Sequence, residues 1–112
     1  LPRLIGETRA KEMIFTGRKI TAETAREWGL VNGVFTAGSL LEETLNLAEE
    51  ITQNSPYAVT RAKRSVNGGR EMLLEEALEW ERSLFGECGE SRNRKEGMTA
   101  FLEKRPRVFT GE

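Results

Sequence analysis

Residues 10–35 read AKEMIFTGRKITAETAREWGLVNGVF, and their punctuation sets the expected fold. Extended back to Gly6, the stretch GETRAKEMIFTG places Ala10, Met13 and Ile14 at helical spacing and closes on Gly17. Glycine takes the left-handed backbone of a helix end without a Cβ clash. Thr21 then offers a side-chain oxygen to cap a second helix, which carries Glu23 and Glu27 and an inner stripe of Ala22, Ala25 and Trp28. Gly29 is placed to end it. The following LVNGVF is apolar enough for a short strand, but Asn32-Gly33 in its middle reads as a bend.

Helical periodicity continues outward from this stretch. Ser39 with Glu42 three residues on forms a capping-box pattern, and Leu41, Leu45, Ala48 and Ile51 then share one face. Ser55 and Pro56 mark the next start, since proline at the first helical position sacrifices no hydrogen bond. Val59, Ala62 and Val66 form its expected stripe, and Gly68-Gly69 its stop. A longer helix is expected over residues 70–85, with Leu73, Leu74, Ala77, Leu78, Trp80 and Leu84 as a broad apolar face, broken by Gly86 and Gly89. Asn93 and Glu96 offer a second capping box ahead of Met98, Phe101 and Leu102, and Pro106 prevents that helix from continuing. The sum is a mainly α chain of short amphipathic helices that need one another, or a partner, to bury their faces.

Composition excludes several chemistries. Among 112 residues there is no histidine, which removes a Ser-His-Asp triad and a histidine general base. The single cysteine, Cys88, forbids an internal disulfide and fits a reducing compartment. Carboxylates in EEITQ and EALEWE lie at helical spacing, where solvated surface is the ordinary role, and no metal set is read from them. The 17 basic and 18 acidic side chains leave a net charge of -1, so there is no overall electrostatic case for nucleic acid or an anionic membrane. No apolar run is long enough to span a bilayer, and LPRLIG at the start lacks the apolar core of a signal peptide. Basic residues do cluster locally, at Arg61, Lys63 and Arg64, at Arg92, Arg94 and Lys95, and at Lys104, Arg105 and Arg107. Each cluster reads as solvated surface or as a phosphate contact. Lys104 stands out because Phe101 lies one turn before it, a charge beside an aromatic face.

Four segments together resemble the enoyl-CoA hydratase/isomerase, or crotonase, family. Leu1-Pro2-Arg3 resembles the exit of a glycine-rich segment of that family. Residues 10–35 carry a TG…I…A…A…GLV pattern similar to its helix-turn-helix passage, SPYAVTRAKRSVN is similar to a later helix, and EGMTAFLEKRPRVFTG resembles the C-terminal signature. The resemblance implies the helical C-terminal region of a crotonase-like α/β spiral fold. Residues 1–35 would be lead-in helices and a turn from the core, and residues 36–112 a helical oligomerisation and acyl-CoA-capping region. It implies assembly as a homotrimer or hexamer, an acyl-CoA thioester as substrate, and no cofactor beyond the coenzyme A that the substrate carries.

The same resemblance places Phe101 and Lys104 near bound coenzyme A and Phe85 at the border of the acyl pocket. It implies that the oxyanion loops and both catalytic glutamates of a hydratase lie upstream of Leu1, so no residue here is assigned as catalytic. The leading expectation is an excised or processed part of an enzyme that hydrates trans-2-enoyl-CoA to 3-hydroxyacyl-CoA, inactive alone. The alternatives are an isomerase or another acyl-CoA enzyme of the family, and a standalone helical oligomerisation module. The expected location is the cytoplasm or the mitochondrial matrix, with the cytoplasm preferred. Asn93 departs from an aspartate common in the family, which removes a negative charge at that position.

Overall fold

The computed structural model describes residues 1–111. Seven α-helices follow one another: α1 Pro2–Ile5, α2 Glu7–Thr16, α3 Ala22–Glu27, α4 Leu40–Thr52, α5 Pro56–Gly69, α6 Leu74–Glu90 and α7 Arg92–Glu103. The described residues contain no strand, and LVNGVF is bend and coil. The chain forms two compact units, Leu1–Leu45 and the residues from Asn46 onward, with α4 running across the boundary in sequence.

In the first unit, α1 turns at Gly6 (φ 83°) into α2, burying Ile5 and Ala10. Helix α2 ends on left-handed Gly17 (φ 62°), as its sequence demands. Thr21 caps α3 by accepting from the Thr24 N–H at 3.2 Å. That helix closes with paired bonds, Leu30 N–H to the Ala25 carbonyl at 2.8 Å and Gly29 N–H to Arg26 at 3.0 Å. This is the Schellman arrangement, with Gly29 (φ 73°) at its left-handed position. The Arg9 guanidinium lies 5.4 Å from the Trp28 ring centroid and links α2 to the end of α3.

Helix α4 starts differently from its capping-box pattern. The Ser39 hydroxyl lies 2.8 Å from that of Thr36, and Thr36 Oγ1 accepts from the Ser39 N–H. Helical hydrogen bonding begins with Leu40 N–H to the Thr36 carbonyl, so Thr36 does the work expected of Ser39. The face of Leu41, Leu45 and Ile51 is present, yet no residue of α4 is buried.

The second unit is built on α5 against α6. Ser55 caps α5 by accepting from the Ala58 N–H at 3.2 Å, with Pro56 opening the helix. Of the expected Val59, Ala62 and Val66 stripe only Val59 is partly covered, together with Ala58, Arg61, Ser65 and Gly68, whereas Ala62 and Val66 are exposed. Small residues face α6 because they permit close approach. A Cβ on Gly68 would stand 3.1 Å from Trp80 Nε1. Helix α6 in turn buries Leu84 and half-buries Ala77 and Trp80, while Leu73 and Leu74 stay exposed. The two helices are pinned by an ion pair, Arg61 Nε to Glu87 Oε2 at 3.0 Å, with the same guanidinium 3.5 Å from the Tyr57 ring centroid.

Gly86 and Gly89 do not break α6, which continues to Glu90. Each glycine costs about 1 kcal/mol relative to alanine in a helix interior, a cost that tertiary packing and capping can override. Arg94 helps at the C-terminus, donating from Nη1 to the Gly89 carbonyl at 2.8 Å. Ser91 then both ends α6 and caps α7, accepting from the Arg94 N–H at 3.2 Å.

These contacts generate a paired prediction. A Cβ on Gly86 meets nothing within 4 Å, so Gly86→Ala is expected to raise stability by about 0.5–1 kcal/mol. Gly68→Ala is expected to lose that gain, because Trp80 must give way. Thermal melts of the two variants check the contrast.

Candidate functional site

Two adjoining hollows mark the second unit. The first, of about 340 Å³, lies between α5 and α6 and is lined by Ala62, Ser65, Val66 and Leu84 among others. The second, of about 610 Å³, is lined by Ser55, Met98 and Phe109 among others. Ala58, Phe85 and Cys88 belong to both. Phe85 is 80% exposed, so its ring stands at the shared rim rather than in a core. The walls are chiefly apolar. Of the acids near them, Glu87 is held by Arg61, and Glu81 edges the first hollow.

Phe101 and Lys104 lie elsewhere, at the far end of α7, and line neither hollow. Phe101 is 83% exposed. The structure therefore does not gather the three sequence-derived candidates, Phe85, Phe101 and Lys104, into one pocket of this chain. It does single out Lys104. Arg105 N–H donates to the Ala100 carbonyl at 3.0 Å and Lys104 N–H to Phe101 at 3.3 Å, a second Schellman end. Its left-handed position, normally glycine, is occupied by Lys104 at φ 52°. A side chain there costs about 1 kcal/mol.

What holds this end is a clamp between α7 and the tail. Arg105 donates from Nη1 to Glu96 Oε1 at 2.6 Å and from Nη2 to Oε2 at 2.8 Å, a two-pronged fork. Its Nε donates to Glu103 Oε2 at 2.7 Å. The Val108 N–H donates to Glu96 Oε1 at 2.9 Å. Further along, Asn93 uses both ends of its amide: Nδ2 donates to the Thr110 carbonyl at 2.6 Å and Oδ1 accepts from the Thr110 N–H at 2.9 Å. Asn93 and Glu96 are thus not a capping box. Ser91 has the cap, and the two side chains instead serve as strand-like partners for the tail backbone.

The clamp sets the charge of the region. Hydrogen bonding to Arg105, then to the Val108 N–H, lowers the Glu96 carboxyl to about 2, and Glu96 and Glu103 together raise Arg105 above its ordinary value. The sequence-level clusters of basic residues also resolve. Arg61 is paired with Glu87, Arg94 caps α6, Arg64 lies 5.4 Å from the Trp80 ring centroid, and Arg107 lies 5.5 Å from that of Phe109. Among the described residues, no carboxylate or ring partners Lys104. Sequence reasoning missed the clamp. The one available signal was an acid at residue 96 with an arginine nine positions on, across a proline-containing tail.

A sequence profile described as enoyl-CoA hydratase/isomerase matches residues 1–112. The chain is 42% identical over 109 residues to the mitochondrial enoyl-CoA hydratase of Pongo abelii, covering 97% of this chain and 38% of that one. It is 38% identical over 111 residues to the 2,3-dehydroadipyl-CoA hydratase of Escherichia coli, covering 99% of this chain and 44% of that one. The crystal structure of enoyl-CoA hydratase from Bacillus anthracis matches with a TM-score of 0.94 at 41% identity, over 99% of this chain and 43% of that one. The chain spans about two fifths of the length of these relatives.

Two outcomes test the clamp. Asn93 is 3% exposed, and aspartate there would set a carboxylate oxygen against the Thr110 carbonyl. Asn93→Asp is expected to weaken tail docking by about 1–3 kcal/mol, read as faster amide exchange at Val108 and Thr110. For pH, the folded value of Glu96 lies below its ordinary 4.5. Its contribution is therefore full above about pH 4.5 and lost as pH falls to about 2. The Val108 amide shift, followed by NMR, is expected to titrate with that low midpoint.

Proposed function

Because the chain belongs to the enoyl-CoA hydratase/isomerase family, we propose that it is the helical C-terminal region of an enzyme that hydrates trans-2-enoyl-CoA to 3-hydroxyacyl-CoA. The observation that carries this reading is the match to the family over residues 1–112, end to end. Relatives named as hydratases, from Pongo abelii and Escherichia coli, support hydration over other reactions of the family. Their names also span a mitochondrial and a bacterial source, so the family occupies more than one compartment.

Burial supports the role of a covering region. Among the described residues the buried hydrophobic side chains are Ile5, Ala10, Ala25, Leu84 and Ala100, a small core. Leu41, Leu45 and Ile51 on α4, Leu73 just before α6, Leu74 on it, and Phe101 and Leu102 on α7 remain exposed. Apolar faces of this extent mark surfaces that another body covers. In the complete enzyme that body would be the catalytic core and neighbouring subunits of a trimer or hexamer.

In this reading the chain shapes the acyl-CoA site and does not perform the chemistry. Phe85 borders the acyl group with an apolar ring. Phe101 and Lys104 meet the coenzyme A portion, the lysine as a point charge for phosphate. The oxyanion donors and the carboxylates that move protons during water addition belong to the part of the enzyme that precedes Leu1. A bound coenzyme A thioester needs no further cofactor for hydration.

The test is direct. The 112-residue chain, purified free of any longer polypeptide, is expected to leave crotonyl-CoA unhydrated, whereas the enzyme that contains it turns the substrate over. Hydration by the short chain alone would overturn this division of labour.

A further inference from the structure

Lys104 occupies a position that backbone sterics reserve for glycine, at φ 52°. Such outliers persist only where the surroundings over-determine them. Here the surroundings are specific. On one side Lys104 continues from α7 through the Ala100 and Phe101 carbonyls. On the other side the next residue, Arg105, is fixed to Glu96 by two bonds of 2.6 and 2.8 Å. Glu96 in turn fixes Val108, and Asn93 fixes Thr110. The backbone on both sides of Lys104 is thus immobilised on the same helix.

The fork has a second effect. Glu103 adjoins Lys104, Glu96 lies two turns back on α7, and Arg105 engages both. With its neighbouring carboxylates occupied, the Lys104 ammonium is left uncompensated among the described residues. A lysine adjacent to an unoccupied Glu103 could fold back onto it and lose its charge to a surface pair.

We infer that Glu96 and Arg105 are positioning residues: their fork holds Lys104 in its left-handed conformation, withdraws Glu103 from it, and so presents an unpaired cation to the phosphates of a coenzyme A thioester. This rests on the proposed acyl-CoA role of Lys104. Arginine is required for the fork because only a guanidinium grips both carboxylate oxygens while its third edge engages Glu103.

The experiment uses the complete enzyme that contains this chain. Steady-state kcat/KM is measured for a crotonyl-CoA thioester and for crotonyl-pantetheine, which lacks the phosphates and nucleotide. The readout is the ratio of the two, which a general loss of fold or catalytic power does not move. Lys104→Gln is expected to lower the ratio about tenfold, the size of one lost charge-assisted contact. Arg105→Gln, Arg105→Lys and Glu96→Gln are each expected to lower it similarly. Adding Arg105→Gln to Lys104→Gln should lower it no further, since the fork acts through the lysine. An Arg105→Lys enzyme with an unchanged ratio overturns the fork. So do unchanged ratios in Arg105→Gln and Glu96→Gln beside a lowered ratio in Lys104→Gln, and that result leaves the acyl-CoA reading standing. An unchanged ratio in Lys104→Gln overturns the reading of Lys104 and the inference with it. If Arg105→Gln fails to fold, Glu96→Gln, which preserves side-chain size, decides the matter alone.

Discussion

The packing of α5 on α6 is the contact on which the second unit depends. It is a close approach made possible by glycine: a Cβ on Gly68 would stand 3.1 Å from Trp80 Nε1, and one on Gly69 3.5 Å from the Ala77 Cβ. Leu84, 2% exposed, is the most deeply covered large side chain. The Arg61–Glu87 pair, with Tyr57 stacked on the guanidinium, ties the same seam at a second point. Because α6 is held there, it can run through Gly86 and Gly89 and deliver Ser91, which starts α7. The direction of α7 and the place of the tail follow from that seam.

The tail is held by a different kind of force. Its contacts are polar, directional and few: a two-pronged ion pair at Glu96 and a two-way amide bridge at Asn93. They secure a segment that lacks the length and apolar content to fold on its own. Asparagine is better suited than aspartate to residue 93, because one side chain must both donate and accept.

The scarcity of core and the abundance of apolar surface belong together. The chain covers about two fifths of the length of its relatives, and its helices leave large apolar faces exposed. The proposed hydratase role would give those faces an occupant, and the polar clamp orders the end of α7 and the tail.

Local signals were legible wherever a residue acts on its own backbone. Thr21, Ser55, Gly17 and Gly29 end or begin helices as their chemistry dictates, and the family pattern of residues 10–35 could be read directly. The sequence by itself determined the helical class, most helix starts and the family. It misjudged Gly86 and Gly89, since a glycine penalty of about 1 kcal/mol is decided by packing that no local pattern contains. It misassigned Ser39, Asn93 and Glu96 as caps: Ser39 pairs locally with Thr36, and Asn93 and Glu96 bind the backbone of the tail instead. It placed Val66 inside and read Gly68-Gly69 as a stop, whereas α5 runs through both and Gly68 lies against Trp80. Only the tertiary structure decided that Arg61 and Arg105 are held by carboxylates and that Lys104 sits in a left-handed turn. Pairing depends on where chains fold back in space, and spacing along the sequence does not encode it.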